Sequence, residues 1–546
     1  MDPTAHRFRN RLAVMLALLV VSVFAGRAWL EHLVLERSER IVAQLSGPRS
    51  RIAIGKVDIQ LLSGNIRWSD VSIEQPEEDP DTAERGRSMR VSGHVDGIAV
   101  RGLSLWRLLV AGTLSMRSLA IIHPDIEMIL MNDTSGASDH RSGKLDILSF
   151  NTDTLEVGNA VFRMHYAGDS AEFSWDTLDL HVTGLRSRWS QDDPFELRYG
   201  AATGQVRGIH ATLPPLQDLH VASIVLEENG RRLQLIDLAI RPLKGPQEYD
   251  AVVSIETDLF DAHLDTATID DLDLASLIDR RALSAASMRI AGVDLDVYRD
   301  KTLPDDPFVH KALPARLLRE LPFTLCMDSL VVDRWNVHYH EKDIHSPQFG
   351  EVLFTDIHAV VKGLCTVDTS SRDTMHVMAT ARGYDKAEVA LEVRTVIADR
   401  SDRFTVNAKI NGLPFDVFNR MTADLMLLRA TAGTIGGVDL TMTADDDRAT
   451  GRVDMEYDAL TLELIKQDGS GGRRKFMSGL LNQMVHARNL RSAPGFRHGD
   501  FSFARRKDRS IFNYLWSGLR EGMIATVLPG VLENIRQLDQ PSARNQ

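Results

Sequence analysis

The chain has 546 residues, of which 25% are charged, and 63 Lys+Arg against 76 Asp+Glu give a net charge of −13. This acidic balance argues against nucleic acid as a partner, because nucleic-acid-binding proteins carry a basic footprint. Two cysteines, Cys326 and Cys365, are too few for a scaffold held by several disulfides. They are consistent either with one bridge between them or with two small, buried apolar side chains.

The first predicted element is a membrane anchor. Residues 1–11 are rich in basic side chains, and residues 12–30 form a long apolar run. About 20 mostly apolar residues cross a bilayer core as a helix, and positive charge stays on the cytoplasmic side. We therefore predict a single-pass helix at 12–30, with residues 1–11 cytoplasmic; a cleaved signal peptide is the alternative. The anchor positions are Leu12, Leu18, Val20, Phe24 and Trp29.

After a helical continuation at 31–45, apolar and polar residues alternate with period two along most of the chain up to about residue 470. Such alternation is typical of strands with one buried face and one solvated face. Short helices are predicted at 105–109, 314–321 and 415–428, and Asn229-Gly230 predicts a hairpin turn. The pattern therefore predicts a mainly β domain over residues 31–470.

The predicted strands far outnumber the helices available to cover their apolar face. Either the strands form a row of closed β-sandwiches, or one long, curled, antiparallel-rich sheet leaves an open apolar groove. Lipid acyl chains would cover such a groove, because each buried CH₂ contributes about 0.8 kcal/mol. The positions expected to line the groove are Val57, Ile59, Leu61, Leu178, Leu180, Val182, Val293, Leu295, Val297, Leu462 and Leu464.

A weak internal repeat is visible in the strand region. The segment Asp153–Val157, followed by Val161, resembles the segment Asp328–Val332, followed by Val337. The spacing to the following valine differs by one residue between the two copies. Such a repeat is typical of a supersecondary unit that recurs along one sheet.

The C-terminal part, residues 471–532, has a helix–strand–helix pattern that predicts an α-helical cap, and residues 533–546 are predicted to be a disordered tail. The helices are expected at 476–490 and 510–528, with a strand at 501–503. This region carries an excess of Lys and Arg on an otherwise acidic chain. The excess indicates either solvated helix faces or contact with anionic headgroups or an acidic partner.

Signatures of catalysis are absent from the sequence. His340-Glu341 followed by His345 is one residue too long for the HExxH zinc motif, which places its histidines at i and i+4 of a helix. His338, His340 and His345 are candidate metal ligands on a predicted strand. The alternative is that they are ordinary solvated histidines. No GxSxG elbow or phosphate-binding loop occurs. We assign no catalytic residue, metal or cofactor, and predict that the chain is not an enzyme; an envelope hydrolase with an unrecognised site is the minority hypothesis.

Several segments carry a family pattern, including IAIGKVDIQLLSGNIRWSDVSI at 52–73, YRDKTLPDDPF at 298–308 and DRSIFNYLWSGLREGM at 508–523. Together with 95–128, 327–341 and 451–464, they resemble the AsmA-like proteins of Gram-negative envelopes. The resemblance implies an inner-membrane anchor, a periplasmic β-groove of the bridge-like lipid-transfer type, and a role in phospholipid transport or outer-membrane biogenesis. It implies phospholipids and the inner membrane as partners, and outer-membrane or envelope proteins as candidate partners of the basic C-terminal region. It supplies no catalytic residue. A non-catalytic envelope scaffold of stacked β-sandwich domains is the alternative.

Overall fold

The computed structural model describes residues 51–60, 63–74, 89–104, 106–107, 113–131, 149–167, 171–188, 196–213, 216–304, 310–342, 350–367, 374–419, 428–464 and 488–527. The described chain is mainly β, with twenty strands assigned to an open, non-closed sheet and few helices. The predicted fold class is confirmed at this level. Within these residues, no helix combines the length and the apolar character needed to cross a bilayer. The predicted anchor, with Leu12, Leu18, Val20, Phe24 and Trp29, lies outside the described residues, as do most of the predicted helix 476–490 and the tail.

The chain divides into two compact units. Unit 1 comprises Met1–Thr212 with Val225–Gly230, and unit 2 comprises Leu213–Ile224 with Arg231–Gln546. The strands of unit 1 pair in sequence order from β1 to β6, and β6 then pairs with both β7 and β8. The β4–β5 pair is parallel and the others are antiparallel. The strands are β1 (Arg51–Gln60), β2 (Asn65–Glu74), β3 (Met89–Arg101), β4 (Thr113–Met131), β5 (Ser149–Ala167), β6 (Glu172–Arg188), β7 (Glu196–Arg198) and β8 (Ala201–Leu213).

Unit 2 has the same sequential arrangement. Its strands pair consecutively from β10 to β20, and among these pairs only β12–β13 is parallel. The strands are β9 (Gln217–Glu227), β10 (Arg232–Pro242), β11 (Leu259–Asp270), β12 (Ala282–Asp300), β13 (Thr324–Lys342), β14 (Gly350–Cys365), β15 (Thr374–Gly383), β16 (Ala387–Val396), β17 (Phe404–Asn411), β18 (Leu428–Ala444), β19 (Arg448–Leu464) and β20 (Gly499–Ala504). The last three residues of β9 belong to unit 1.

The labelled helices are α1 (Pro246–Asp250), α2 (Leu274–Arg280), α3 (Pro314–Arg319) and α4 (Ile511–Val527). Helices α3 and α4 confirm the helices predicted at 314–321 and 510–528. The helix predicted at 415–428 is confirmed at 415–419 and wrong at its last residue, because Leu428 begins β18, opposite Leu464. Residues 420–427 lie outside the described residues. The sequence did not predict α1 and α2. Helix α2 begins where Asp273 accepts a hydrogen bond from the Ser276 backbone N–H at 3.0 Å.

Two other local predictions are confirmed. Asn229 lies in a 3-10 turn, Glu228–Gly230, with φ 60° and ψ 31°, the left-handed conformation that asparagine tolerates. The strand predicted at 501–503 is β20. Within the helix predicted at 105–109 the structure describes Trp106 and Arg107, and both are helical.

The two cysteines form a disulfide. Cys326 on β13 lies directly opposite Cys365 on β14, with 4.0 Å between their Cα atoms. The bridge selects the first of the two alternatives left open by the sequence. It links β13 to β14 at one position of their antiparallel register, next to the parallel β12–β13 pair.

The internal repeat corresponds to a repeated strand. Strands β5 and β13 each have 19 residues and each lies parallel to a preceding 19-residue strand. Each has a bulge with positive φ at the same offset from its aspartate: Asn159 lies six residues after Asp153, and Arg334 lies six residues after Asp328. When the two copies are aligned on their bulges, they match without the one-residue difference in spacing that the following valines show.

Candidate functional site: the apolar face

One face of unit 1 carries an unbroken row of apolar side chains. Residues that pair directly across neighbouring strands point to the same face of a sheet. Following the pairing from β1 to β6 gives six such positions, which we call the Leu180 row. The row consists of Val57, Trp68, Ile98, Ile121, Val157 and Leu180.

A second row runs beside the first, two residues away along each strand. It is also apolar at every position, and it continues onto β8. This Val182 row consists of Ile59, Ile66, Val100, Leu119, Leu155, Val182 and Ala202. With strands about 4.8 Å apart, seven strands span about 29 Å, close to the thickness of the hydrocarbon core of a bilayer, about 30 Å.

The opposite face of unit 1 is polar. Asp58 pairs with Arg67 on this face, and Glu156 of β5 pairs with His181 of β6, their side chains 3.5 Å apart. The contrast between faces follows from the period-two alternation of each strand. The composition of each apolar row therefore depends both on the alternation within each strand and on the register between strands.

The Leu180 row is only partly covered. Each of its six side chains keeps an intermediate exposure, whereas most of the Val182 row is buried. All four clusters of buried hydrophobic side chains found among the described residues lie in unit 2. Within the described part of unit 1, the apolar face consequently has no hydrophobic core packed over it.

An aromatic cluster extends this face on β5 and β6. The rings of Phe162 and Trp175 stack with centroids 4.5 Å apart, and Phe173 lies edge-on to Trp175 at 5.8 Å. Trp175 Nε1 donates to the carbonyl of Ala160 at 3.1 Å, so its polar atom is satisfied without water. Ala160 also pairs with Leu178, which joins the cluster to the Leu180 row.

Three of the predicted lining residues lie on the apolar face of unit 2. Val293 pairs with Leu264 and Trp335, and Leu295 pairs with Ala262 and Val337. The third, Val297, pairs in the same way with Phe260 and Tyr339 and is 8% exposed.

Beyond Val297 this face becomes charged. Arg299 donates to both carboxylate oxygens of Asp258 at 2.6 Å, and the Tyr339 hydroxyl donates to Glu341 at 3.1 Å. Burial, reinforced by the negative charge of Glu341, raises the pKa of Tyr339, so the phenol remains a neutral donor. The apolar stretch on β12 and β13 therefore ends at a set of paired polar groups.

The remaining lining predictions fall in different places. Leu462 is 2% exposed and belongs to a closed core in which α4 packs on β19 and β20. Leu464 ends β19, opposite Leu428, and Leu61 lies outside the described residues. The period-two pattern is the same at all these positions. The covering elements decide which of them face a core and which remain accessible.

Sequence reasoning did not assign Trp68, Ile98, Ile121 and Val157 to the face, although they complete the Leu180 row. Ile66 and Trp68 do alternate with polar residues, so a local signal existed. Their common row depends on the register between strands, which no single strand encodes. An open depression of about 470 Å³ borders this region, lined by Ile121, Val157 and Leu180 together with polar residues such as Glu156 and His181.

The histidines singled out in the sequence lie in unit 2. His338 and His340 are on β13, on the face opposite to Val337 and Tyr339, and His345 lies outside the described residues. Because β13 is a strand, Glu341 faces away from His340 and forms an ion pair with Lys301. The helical geometry of an HExxH motif is therefore absent at this position.

Comparison with known proteins assigns no family. No family model matches the chain, and no curated protein matches it. Among solved structures, the crystal structure of OccK8 (OprE) from Pseudomonas aeruginosa aligns over 75% of this chain and 85% of that chain. It does so with 8% sequence identity and a TM-score of 0.11, a likeness too low to carry an argument.

Proposed function

We propose that this chain is an inner-membrane-anchored periplasmic protein of the AsmA-like type that binds lipid acyl chains on its apolar face and supports phospholipid transport or outer-membrane biogenesis. The observation that carries the proposal is the Leu180 row. Its six apolar side chains cross six strands and remain partly exposed. Large exposed apolar surfaces are typical of sites that bind a partner, a ligand or a membrane.

The driving force for such binding is the burial of hydrocarbon. Each CH₂ group moved from water into an apolar site contributes about 0.8 kcal/mol, so a lipid leaves a bilayer only if most of its chain stays covered. The Leu180 row crosses six strands and so spans about 24 Å, which is longer than one leaflet of hydrocarbon, about 15 Å. The two rows together offer a track of the length that an acyl chain needs.

The anchor rests on the sequence pattern of residues 12–30. A single-pass helix with a cytoplasmic N-terminus would hold the apolar face beside the membrane that supplies the lipid. We expect no catalytic step, and phospholipids and the inner membrane are the proposed partners. A scaffold role is the second candidate, but the row of closed β-sandwiches from which it was inferred differs from the sequentially paired, open sheet described above.

The test is to measure the phospholipid that co-purifies with the full-length chain. In Leu180→Asp a charge enters the Leu180 row, and we expect the phospholipid-to-protein ratio by mass spectrometry to fall at least threefold. The matched control is Thr203→Asp, an exposed position that pairs with His181 on the polar face. Lipid bound by the anchor is common to both variants and cancels in the comparison.

Equal lipid content in the wild type, Leu180→Asp and Thr203→Asp would contradict the proposal and favour a scaffold. Circular dichroism and thermal melting of each variant confirm that a loss of lipid reflects the face and not unfolding.

A further inference from the structure

The polar face of β12 and β13 brings together three side chains with the chemistry of metal ligands. His338 and His340 are two residues apart on β13 and therefore share a face. Asp296 on β12 lies directly opposite His338 in the parallel register. These three are the only group of three or more His, Cys, Asp or Glu side chains with converging ligand atoms in the part of the chain that the structure describes.

The three ligand atoms form a compact triangle. Asp296 Oδ2 lies 3.3 Å from His338 Nδ1 and 3.2 Å from His340 Nε2, and the two nitrogens are 2.9 Å apart. Ligands at 2.0–2.1 Å from a metal ion are separated by about 2.9 Å at a right angle and about 3.3 Å at the tetrahedral angle. We propose that Asp296, His338 and His340 bind one divalent transition-metal ion of the Zn²⁺ class.

Glu351 on β14 orients one of the ligands. Its Oε1 lies 2.7 Å from His338 Nε2, so Nε2 donates to the carboxylate and the lone pair of the neutral ring is on Nδ1. Nδ1 is the atom that faces Asp296 and His340. A carboxylate that holds the far nitrogen of a metal-binding histidine is the usual outer partner of such sites.

The donor set also selects the ion. Two imidazole nitrogens and one carboxylate oxygen suit Zn²⁺, Co²⁺ or Fe²⁺, whereas Mg²⁺ and Ca²⁺ prefer sites made of oxygen. Three protein ligands leave at least one coordination position for water. The three side chains are partly exposed, so an ion can reach them from solvent.

A simple hydrogen-bonded network is the competing explanation of the same contacts. Isolated histidine–carboxylate pairs recur on this polar face, such as His376 Nε2 with Glu392 Oε1 at 2.7 Å. The Asp296 cluster differs because His340 Nε2 and Asp296 Oδ2 both lie close to one ring nitrogen, His338 Nδ1. It also lies opposite to Leu295 and Val337, so its metal binding and the proposed lipid binding succeed or fail independently.

The experiment is a metal titration of the full chain, purified without a histidine tag and treated with chelator. Isothermal calorimetry with Zn²⁺ should give one equivalent of tight binding, and Co²⁺ should give a visible absorption band. In His338→Ala and His340→Ala we expect the Kd for Zn²⁺ to rise at least 100-fold. Glu351→Gln should raise it 10- to 100-fold, because the outer partner orients the ring but does not bind the ion.

His376→Ala is the matched control, since it removes a histidine with a carboxylate partner outside the cluster, and it should leave the Kd within twofold. Asp296→Asn, which keeps the size of the side chain, should weaken Zn²⁺ binding even if an alanine variant fails to fold. Absence of a stoichiometric Zn²⁺ site in the wild type overturns the proposal. Unchanged affinity in both histidine variants, or tighter binding of Mg²⁺ than of Zn²⁺, does so equally.

Discussion

Asp402 is a buried carboxylate held by two arginines of one helix. Arg316 Nη2 lies 2.9 Å from Asp402 Oδ2, and Arg319 Nη2 lies 2.5 Å from Oδ1. Arg319 also donates to the carbonyl of Ile397 at 2.6 Å. These contacts tie α3 to the turn between β16 and β17. The pairing joins positions more than 80 residues apart, so the sequence around Asp402 gave no sign of it.

The residue-scale prediction concerns this carboxylate. Asp402→Asn removes the counter-charge of Arg319 and leaves Arg316 only its longer contact with Asp446, at 3.5 Å. Removing one partner of a buried ion pair typically costs about 3–5 kcal/mol. We expect a loss of about 3 kcal/mol in the free energy of unfolding, measured by urea denaturation.

Asp500→Asn is the control, because its pair with Arg452 is exposed on both sides and screened by solvent. Its effect should be much smaller. Equal losses in the two variants would show that burial of the Asp402 pair does not govern its contribution.

The basic C-terminal region also shows that ion pairs join positions that are far apart in the sequence. Arg488 pairs with Asp458 at 2.6 Å, Arg491 pairs with Asp439 at 2.7 Å, and Arg505 forms an ion pair with Asp446. The local excess of positive charge is visible in the sequence. The carboxylates that offset it come from β18, from β19 and from the turn between them, and only the fold brings them close.

At the scale of elements, α4 closes the apolar face at one end of unit 2. The helix packs on β19 and β20, and two glycines allow its close approach. A Cβ at Gly518 would lie 3.0 Å from Met442 Sδ of β18, and a Cβ at Gly522 would collide with Val453 of β19. The absence of side chains at these positions permits close approach between the helix and the sheet. The sequence predicted the helix, but not which residues set its distance from the sheet.

The element-scale prediction is that Gly522→Val separates α4 from the sheet. Overpacking of a tight contact typically costs about 1–3 kcal/mol, and the branched side chain has no space beside Val453. We expect a lower urea midpoint and faster proteolysis within residues 511–527. Phe512→Ala, at a side chain that is 78% exposed, is the control and should leave both measurements nearly unchanged. Resistance of Gly522→Val to protease at the wild-type level would contradict the packing.

At the scale of the whole molecule, each unit contains the same alternating strands, but their apolar faces are covered differently. Trp68 in unit 1 belongs to the partly exposed Leu180 row, whereas Phe501 in unit 2 is 5% exposed beneath α4. Accessibility to lipid should therefore differ between two aromatic positions of similar size.

The whole-molecule prediction uses a photoreactive amino acid, benzoylphenylalanine, placed at Trp68 or at Phe501 in separate full-length variants. Irradiation in cells should attach phospholipid to the Trp68 variant at a yield at least tenfold above the Phe501 variant, because only the first position offers a surface to an acyl chain. Mass spectrometry of the intact protein measures the adduct. Equal yields at the two positions, or none at either, would contradict lipid binding on the face of unit 1.

The sequence by itself determined the β class, the two faces of each strand and the helices α3 and α4, because period-two alternation and helix signals are local. The tertiary structure decided the features that join distant strands. These are the register that aligns Val57 with Leu180, the disulfide between Cys326 and Cys365, and the meeting of Asp296 with His338 and His340. The physical reason is that strand register and the covering of an apolar face depend on free energies of contact between residues far apart in the sequence. The same alternation therefore gave a closed core at Leu462 and an accessible row at Leu180.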